Sequence, residues 1–336
     1  MSGRGPRGGT LGGTRPRRHV SPARGAGRPS QPGPRRRPGP PRRTGPRIGP
    51  PHRERRDRPP VPDRRAPSSA QRERGTRGAG RKDGGLGGEQ VEGRRAVLEL
   101  LRAGRRPVRE VWVAEGLEPS PQLDEIERLA ARRRVPVRLV GRGKMASAAR
   151  SESAQGVLAR ARALHEADLD AIANDTDGRP PFVLVLDGIT DPHNLGALLR
   201  AAECAGVSGV VVARHRAVHV TPTVAKVAAG AVEHVPIAVV PGVPSALRRL
   251  DQLGLVTLGL DAEARHSLYD LGPEAGGPVA LVLGAEGKGL AQLTKKRCSA
   301  LVGIPRAGSI ESLNVASAGA VACFELARRR GFQHRR

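Results

Sequence analysis

Three short segments of this sequence place polar side chains next to glycines. The first, DPHNLGALLR (191–200), follows an apolar run and contains Asn194 and Arg200. Its apolar residues recur at helical spacing and predict a buried stripe of Leu195, Leu198, Leu199 and Ala202. Arg200 lies about 140° around such a helix from the first residue of the stripe, above Gly196, whose missing side chain leaves its flank open. Arg200 therefore either forms a solvated ion pair with Glu203 or holds its charge for a ligand.

The second segment, LGAEGKGL (283–290), is a glycine-rich loop around Glu286 that follows another apolar run. Gly284, Gly287 and Gly289 allow the backbone to approach a ligand closely and to adopt positive φ angles. Their spacing differs from that of a Walker A loop, and the strand before the first segment is not followed by the G-x-G-x-x-G of dinucleotide-binding folds. The loop is either an ordinary turn or a ligand loop of another class.

The third segment, IPRAGSIESLNVASAGA (304–320), opens the last predicted helix. Ser309 or Ser312 is expected to cap that helix, and Asn314 in its first turn either caps it or contacts a ligand. The spacing of its apolar and small residues predicts a buried stripe of Leu313, Ala316, Ser317, Ala320, Phe324 and Ala327. The helix is crowded with alanine and glycine, which predicts unusually close packing against another element.

Strands and helices alternate through the region that contains these segments. Continuous apolar runs predict six strands, at 182–187, 209–214, 235–240, 255–260, 279–284 and 300–305. Such runs between helical patterns indicate an α/β fold with a parallel sheet covered on both faces. The three segments follow its first, fifth and sixth strands, and ligands of such sheets bind beyond the carboxyl ends of the strands.

A smaller α/β unit precedes this sheet, at 89–164. Its predicted elements are a helix ended by Gly104, a strand at 108–114, a helix opened by Ser120 and Pro121, a strand at 135–140 and an alternating, edge or half-buried strand at 155–164. The polar stretch 165–181 is predicted to be a linker.

The first quarter of the chain differs in composition from the rest. Residues 1–85 contain 24 Lys and Arg against 5 Asp and Glu, with 17 Gly, 16 Pro and no Phe, Trp or Tyr. Such a segment has too little apolar surface to offset the entropy of ordering it, so it is predicted to be disordered. Its charge favours binding to a polyanion with little sequence preference, and a passive solubilising tail is the alternative.

Several classes of protein are disfavoured by features that the sequence lacks. Residues 1–30 contain no apolar core of a signal peptide, and no apolar run is long enough to span a membrane. Cys204, Cys298 and Cys323 have no CxxC or histidine spacing, which predicts reduced, mostly buried thiols, no metal site and a cytoplasmic protein.

Taken together, the three segments resemble the motifs of the SpoU/TrmH family of RNA ribose 2′-O-methyltransferases. The motifs are, in this order, N-L-G-x-x-x-R, L-G-x-E-G-x-G and I-P-x-x-G-x-x-x-S-L-N-V. The resemblance extends over residues 88–330, and within the family it is strongest to enzymes that methylate guanosine in 23S rRNA. The segment 89–164 is similar to their ribosomal-protein-like RNA-binding domain, opened by VEGRRAVLELL and closed by QGVLAR.

The resemblance implies a specific organisation of the chain. It implies a disordered basic tail at 1–87, an RNA substrate-binding α/β domain at 88–165, a linker at 166–181, and a methyltransferase domain at 182–331 whose parallel sheet carries a trefoil knot of the SPOUT type. It further implies S-adenosylmethionine as cofactor, bound by backbone groups at Gly284, Ile304 and Leu313. Members are obligate homodimers, with the site completed across the interface, and no metal is expected.

The implied reaction is methyl transfer from S-adenosylmethionine to a ribose 2′-hydroxyl of ribosomal RNA, at a guanosine of 23S rRNA. The implied catalytic residues are Arg200, Asn194, Glu286, Ser312 and Asn314. Arg200 would contact the phosphate and hydroxyl of the target nucleotide, the asparagines would orient it, and Glu286 would position Arg200 or the loop. A guanidinium with a pKa above about 12 is a poor base, which favours electrostatic positioning for Arg200.

Other functions stay open at this point. They are a tRNA-directed or adenosine-directed enzyme of the same family, a non-catalytic RNA-binding factor of ribosome assembly, and a different α/β nucleotide-binding enzyme. The missing phosphate-loop motifs disfavour the last of these.

Overall fold

The computed structural model describes residues 85–174, 178–215 and 219–331, which contain two β-sheets. The predicted tail lies outside the described residues up to position 84. Its predicted end does not match the structure, because Leu86 is buried and its carbonyl accepts a hydrogen bond from the amide of Val220 at 2.9 Å. The packed part of the chain therefore includes residues before position 88, because the apolar side chain of Leu86 already lies in the core.

The N-terminal sheet has four strands. Its elements in chain order are β1 (Gln90–Glu92), α1 (Arg94–Ala103), β2 (Val108–Ala114), α2 (Pro121–Arg132), β3 (Val137–Val140), α3 (Arg142–Ala148) and β4 (Val157–Ala161). The strand order is β1-β4-β2-β3, with β2 and β3 parallel and the other two pairs antiparallel. The pattern of β4 predicts an edge or half-buried strand, but β4 lies between β1 and β2, and Val157, Leu158 and Ala159 are fully buried.

Local signals in the sequence set the ends of the first two helices. α1 ends at Gly104, which adopts a left-handed conformation with φ of 58° and donates its amide to the carbonyl of Leu100. At the start of α2, the side chain of Ser120 accepts a hydrogen bond from the amide of Leu123, and Pro121 is the first helical residue. Both predicted boundaries are confirmed.

The second sheet has seven strands, all parallel. The elements of this part are α4 (Leu169–Ile172), β5 (Phe182–Asp187), α5 (Pro192–Cys204), β6 (Gly209–Ala213), α6 (Pro222–Val227), β7 (Ile237–Val240), α7 (Val243–Gln252), β8 (Val256–Leu260), β9 (His266–Ser267), β10 (Val279–Gly284), α8 (Gln292–Arg297), β11 (Ala300–Gly303) and α9 (Val315–Arg329). The strand order is β7-β6-β5-β10-β8-β11-β9. All six predicted strands are present, and β9, with two residues, is too short to produce an apolar run.

Helices cover both faces of the seven-stranded sheet, which confirms the predicted α/β class. On one face α5, α6 and α9 contribute to a core that includes Leu184, and on the other α7 packs over Val183 and Val185. These three strand residues are fully buried, as a strand covered on both sides requires. The predicted stripe of α5 is confirmed, with exposures of 3% or less for Leu195, Leu198, Leu199 and Ala202.

Part of the predicted linker is folded. α4 is capped by the side chain of Asp168, and its Ile172 is buried against β6. A Cβ atom on Gly209 would lie 2.5 Å from the Cβ atom of Ile172, so the helix sits directly on that strand. Residues 175–177 of the same segment lie outside the described residues.

The two sheets belong to one compact unit and are joined by a buried ion pair. Arg106 donates from Nε to Oε2 of Glu233 at 2.8 Å and from Nη2 to Oε1 at 2.5 Å, and the side chains are only 7% and 1% exposed. Arg106 also donates to the carbonyl of Gly88 at 2.7 Å. Close by in sequence, Nε2 of His234 lies 3.1 Å from a carboxylate oxygen of Glu99 on α1.

The three cysteines are free thiols. Cys323 is buried and Cys298 partly buried, as predicted, whereas Cys204 is exposed because it ends α5. Burial raises the pKa of Cys323 to about 12, and burial with the nearby Asp187 carboxylate raises that of Cys298 to about 11. In the described part of the chain, no three His, Cys, Asp or Glu side chains form a group suited to a metal ion, and no helix is long and apolar enough to cross a membrane.

Candidate active site

β5 and β10 are neighbours in the sheet and end at the same level. Asp187, the last residue of β5, pairs with Gly284, the last residue of β10. From this pair the sheet extends in opposite directions, to β6 beside β5 and to β8 beside β10. In parallel α/β sheets the crevice at such a divergence, beyond the carboxyl ends of the strands, is where ligands bind.

The loop after β10 is a tight, hydrogen-bonded turn. Ala285 and Gly289 exchange two backbone hydrogen bonds, of 3.0 and 2.8 Å. Gly287 and Gly289 have φ of 71° and 63°, which confirms the predicted positive φ angles at these two positions. Gly284 keeps a negative φ, and its role is close approach, because a Cβ atom there would lie 2.1 Å from the carbonyl carbon of Gly289.

One carboxylate and two amides from the three segments form a hydrogen-bonded cluster at this edge. Nδ2 of Asn194 donates to Oε2 of Glu286 at 2.9 Å, and Nδ2 of Asn314 donates to Oε1 of Glu286 at 3.2 Å. Nδ2 of Asn314 also donates to Oδ1 of Asn194 at 3.0 Å. Both oxygens of Glu286 are thus occupied by amides, so its charge fixes the orientation of the two asparagines.

Asn194 enters this cluster from the first turn of α5. Asp191 caps the helix by accepting a hydrogen bond from the amide of His193 at 2.9 Å, and Pro192 is the first helical residue. Asn194 is only 7% exposed, so its amide needs the partners that Glu286 and Asn314 provide. The corner after β5 therefore orients a buried amide.

Asn314 is the N-cap of α9, which corrects the prediction that Ser309 or Ser312 caps it. Its Oδ1 accepts hydrogen bonds from the amides of Ala316 at 2.9 Å and Ser317 at 3.3 Å. The capping interpretation of Asn314 is therefore right, and its Nδ2 is left to bind Glu286. One side chain both starts the helix and joins it to the glycine-rich loop.

The predicted stripe of α9 is wrong in part. Ala327 is buried as predicted, but Leu313, Ser317 and Phe324 are exposed. The buried face consists instead of Gly319, Ala322, Cys323, Glu325, Leu326 and Ala327. Small residues occur on every side of α9, so the hydrophobic pattern of its sequence does not distinguish one face from another. The close packing of Gly319 against the core determines which face is buried.

Arg200 is exposed on α5, and of its two interpretations the ion pair with Glu203 is not present among the described residues. The prediction that Gly196 leaves open space is wrong. A Cβ atom on Gly196 would lie 2.7 Å from the Cβ atom of Val227, so the glycine allows α6 to pack against α5. Arg200, one turn later on the same face, stays accessible beyond that contact.

The remaining predicted residues lie near the cluster in sequence without bonding to it. Ser312 is exposed, and among the described side chains it has no hydrogen-bond partner. Leu313, next to the cap, is 47% exposed, and Ile310 is 80% exposed. Ile304, just after β11, is partly buried against the main core.

Two residues that the motifs do not indicate hold the glycine-rich loop in place. Oδ2 of Asp187 accepts hydrogen bonds from Oγ1 of Thr294 at 2.7 Å and from the amide of Ala291 at 3.3 Å. Thr294 is fully buried. An aspartate that ends an apolar strand is the one signal in the sequence that indicates this anchor.

Comparison with known proteins relates this site to a family. The model of the SpoU rRNA Methylase family matches residues 181–324, and the RNA 2′-O ribose methyltransferase substrate binding model matches residues 90–167. The 23S rRNA (guanosine-2′-O-)-methyltransferase RlmB of Pseudomonas putida is 40% identical over 245 residues, covering 72% of this chain and 97% of the relative. RlmB of Ralstonia nicotianae is 41% identical over 238 residues, covering 70% and 93%.

A solved structure agrees with these matches. The SpoU methyltransferase AviRb from Streptomyces viridochromogenes, in complex with the cofactor AdoMet, aligns with a TM-score of 0.61 and 26% identity over 72% of this chain and 89% of that chain. The chain belongs to the SpoU family of RNA 2′-O-ribose methyltransferases.

Proposed function

We propose that this protein transfers a methyl group from S-adenosylmethionine to a ribose 2′-hydroxyl of 23S rRNA, at a guanosine. The observation that carries the proposal is the hydrogen-bonded cluster of Asn194, Glu286 and Asn314 at the carboxyl ends of β5 and β10. The relatives named as 23S rRNA guanosine methyltransferases match this chain over more than nine-tenths of their own length, which supports the choice of substrate.

The residues at this edge fit S-adenosylmethionine. The turn closes tightly on Gly284, and Gly287 and Gly289 leave open space where side chains would lie, so the backbone of the turn is accessible to a ligand. Leu313 offers exposed apolar surface to an adenosyl group beside this turn, because Asn314, the next residue, bonds to Glu286. Ile304 would contribute through its backbone. S-adenosylmethionine supplies a methyl group made electrophilic by the sulfonium, so the chain must mainly align the hydroxyl and assist loss of its proton.

The side chains then have distinct tasks. Glu286 holds Asn194 and Asn314 in fixed orientations, and the free lone pairs and protons of these amides orient the ribose. Arg200 supplies a positive charge for the phosphate and developing oxyanion of the target nucleotide. The Ser312 hydroxyl, free of other partners among the described residues, is available to the same nucleotide. A guanidinium stays protonated, so Arg200 acts by charge.

The proposal includes an organisation of the chain. Residues 88–165 would form the domain that binds the RNA substrate, and residues 182–331 would form the knotted methyltransferase domain. Residues 166–181 would link the two domains. α9 packs tightly against α5 within this domain, since a Cβ atom on Gly319 would lie 2.3 Å from a methyl group of Leu198. The basic tail would add RNA affinity without sequence preference. Because the substrate is ribosomal RNA, the protein would act in the cytoplasm.

A homodimer is part of the same proposal. Val321 and Phe324 are 38% and 44% exposed on the outer side of α9, and Leu313 lies at its start. An apolar face of this kind next to the site favours a second copy that completes it.

Arg200→Ala tests the proposed reaction. The change lies on the helix surface, so the unfolding free energy should fall by less than about 0.5 kcal/mol. Methyl transfer from labelled S-adenosylmethionine to 23S rRNA should fall by about 100-fold or more, as for loss of a positioned charge. Arg248→Ala, an exposed arginine on α7 across the sheet, is the matched control. Near-native turnover of Arg200→Ala would contradict its role, and an inactive wild-type protein that binds rRNA would favour an assembly factor.

A further inference from the structure

α6 lies between the four-stranded sheet and the helix that carries Arg200. It contacts β1 and α1 on one side and α5 on the other. On the first side, a Cβ atom on Gly93 would lie 3.6 Å from Cγ of Lys226. On the second, Val227 fills the space beside Gly196. The surface of Arg200 is therefore continuous, through α6, with the start of α1.

Three cations lie along this junction without acidic partners. Arg95 and Arg200 are exposed, and Lys226 is partly exposed. None of the three has a carboxylate of the described residues within 4.0 Å, whereas the carboxylates of Glu99 and Glu233 are paired with other cations. Unpaired, accessible cations from three different helices give this junction a positive field.

The charges of Arg95 and Arg200 both reach Cys204 at the end of α5. Gly196, Arg200 and Cys204 follow one another at intervals of four residues, about 6 Å apart on one helix face. Burial and the Glu203 carboxylate raise the pKa of the Cys204 thiol, whereas Arg200 and Arg95 both lower it. Both guanidinium groups thus act on the same thiol, one from α5 and one from α1.

We propose that Arg95, Lys226 and Arg200 form a phosphate-binding strip that leads the RNA backbone from the four-stranded sheet along α5 to the site of methylation. This inference rests on the proposed function and extends it, because it assigns Arg95 and Lys226 as RNA-positioning residues. The strip spans both parts of the chain, and the buried pair of Arg106 and Glu233 keeps its two ends at a fixed distance. Phosphate contacts of this kind set the register of the RNA, whereas base contacts select its sequence.

Acidic residues near the strip do not cancel it. Glu99, one turn after Arg95, is occupied by Arg102 at 2.8 Å and by His234 at 3.1 Å. Glu203 lies beside Cys204 and leaves one negative charge against the three positive charges of the strip. The strip therefore keeps a net positive charge, which matches a chain of phosphodiesters.

The test measures the salt dependence of RNA binding in full-length protein. Arg95→Gln, Lys226→Gln and the double variant are compared with wild type and with Arg248→Gln, whose exposed cation lies on α7 across the sheet. Binding of 23S rRNA is followed between about 50 and 200 mM salt. Each lost phosphate contact should reduce the slope of log affinity against log salt by about 0.7–0.9 and weaken binding about fivefold near 0.1 M salt.

The outcomes separate the strip from the reaction. The single variants should each show the reduced slope and a raised KM for rRNA, with the S-adenosylmethionine affinity of wild type by calorimetry. Slopes equal to that of Arg248→Gln in both single variants would overturn the strip, even if the protein methylates rRNA. A wild-type protein without methyl transfer would instead overturn the proposed function, while the slopes would still report whether the strip binds RNA.

Discussion

Replacing Asn314 by alanine removes two interactions of one side chain, the cap of α9 and the bridge to the glycine-rich loop. The cap consists of hydrogen bonds from the amides of Ala316 and Ser317, and its loss costs about 1 kcal/mol. The bridge consists of hydrogen bonds to Asn194 and Glu286, of 3.0 and 3.2 Å. Because these groups are partly in contact with solvent, their combined net contribution is about 1 kcal/mol. Asn314→Ala should therefore lower the free energy of unfolding by about 2 kcal/mol.

Asn314→Ser separates the two interactions. A serine hydroxyl accepts the capping hydrogen bonds but is too short to donate to Asn194 and Glu286 together. Urea unfolding should therefore show a loss of about 1 kcal/mol for Asn314→Ser, half of that for Asn314→Ala. Methyl transfer to 23S rRNA should fall in both variants, because the Glu286 carboxylate no longer holds both amides.

Two results would refute this reasoning. If Asn314→Ala is no less stable than Asn314→Ser, the side chain does not contribute a cap. If Asn314→Ser retains wild-type turnover, the bridge between α9 and the loop is not needed for the reaction. Asn194→Ser is a useful companion, since Asn194 takes part in the cluster without capping a helix.

Three further predictions concern the cofactor surface and stability. Leu313→Arg should fold, because Leu313 is 47% exposed. It should lose S-adenosylmethionine binding, because it places a cation on the surface proposed for the adenosyl group. An affinity equal to that of wild type by calorimetry would show that Leu313 does not belong to that surface. Glu233→Gln should lower the free energy of unfolding by about 3–5 kcal/mol, since it leaves the buried charge of Arg106 with only neutral acceptors such as the carbonyl of Gly88. An unchanged midpoint of urea unfolding would contradict this. Hydrogen bonds from Arg328 and the arginine that follows it hold the pKa of Glu325 at about 2, below its ordinary 4.5. The carboxylate therefore contributes stability above about pH 4.5 that is lost as the pH falls toward about 2. The difference in unfolding free energy between wild type and Glu325→Gln should shrink over that window. A difference that stays constant with pH would argue against the pairing.

The elements of the large sheet are predictable because their patterns have a single interpretation. The runs that become β5 and β10 are apolar at nearly every position, which only a strand covered on both faces explains at that length. The face of α5 is equally clear, since its large apolar residues recur at helical spacing. α9 differs because Ala, Ser and Gly occupy all its sides, and its buried face depends on which helix it meets.

The convergence of the three segments is also predictable, because carboxyl ends of parallel strands meet at one edge. The pairing within the cluster is not. Asn314 rather than Ser312 caps α9 because Glu286 holds the side chain of Asn314. The position of Glu286 is determined in turn by the backbone hydrogen bonds between Ala285 and Gly289. The role of Gly196 is hidden for the same reason, because its neighbour Val227 is distant in sequence.

α5 connects the reactive site with the path that RNA would take. Its first turn holds Asn194 in the cluster, and its opposite end carries Cys204, whose pKa the charge of Arg95 on α1 lowers. Because its apolar stripe is fully packed and its start is capped, α5 cannot rotate without exposing its core residues. Arg200, between the two ends, therefore sits at a fixed distance from both the amides and the junction. A ribose held by the cluster and a phosphate held by Arg200 would belong to the same stretch of RNA, and the geometry of this one helix would determine which hydroxyl reaches the methyl donor.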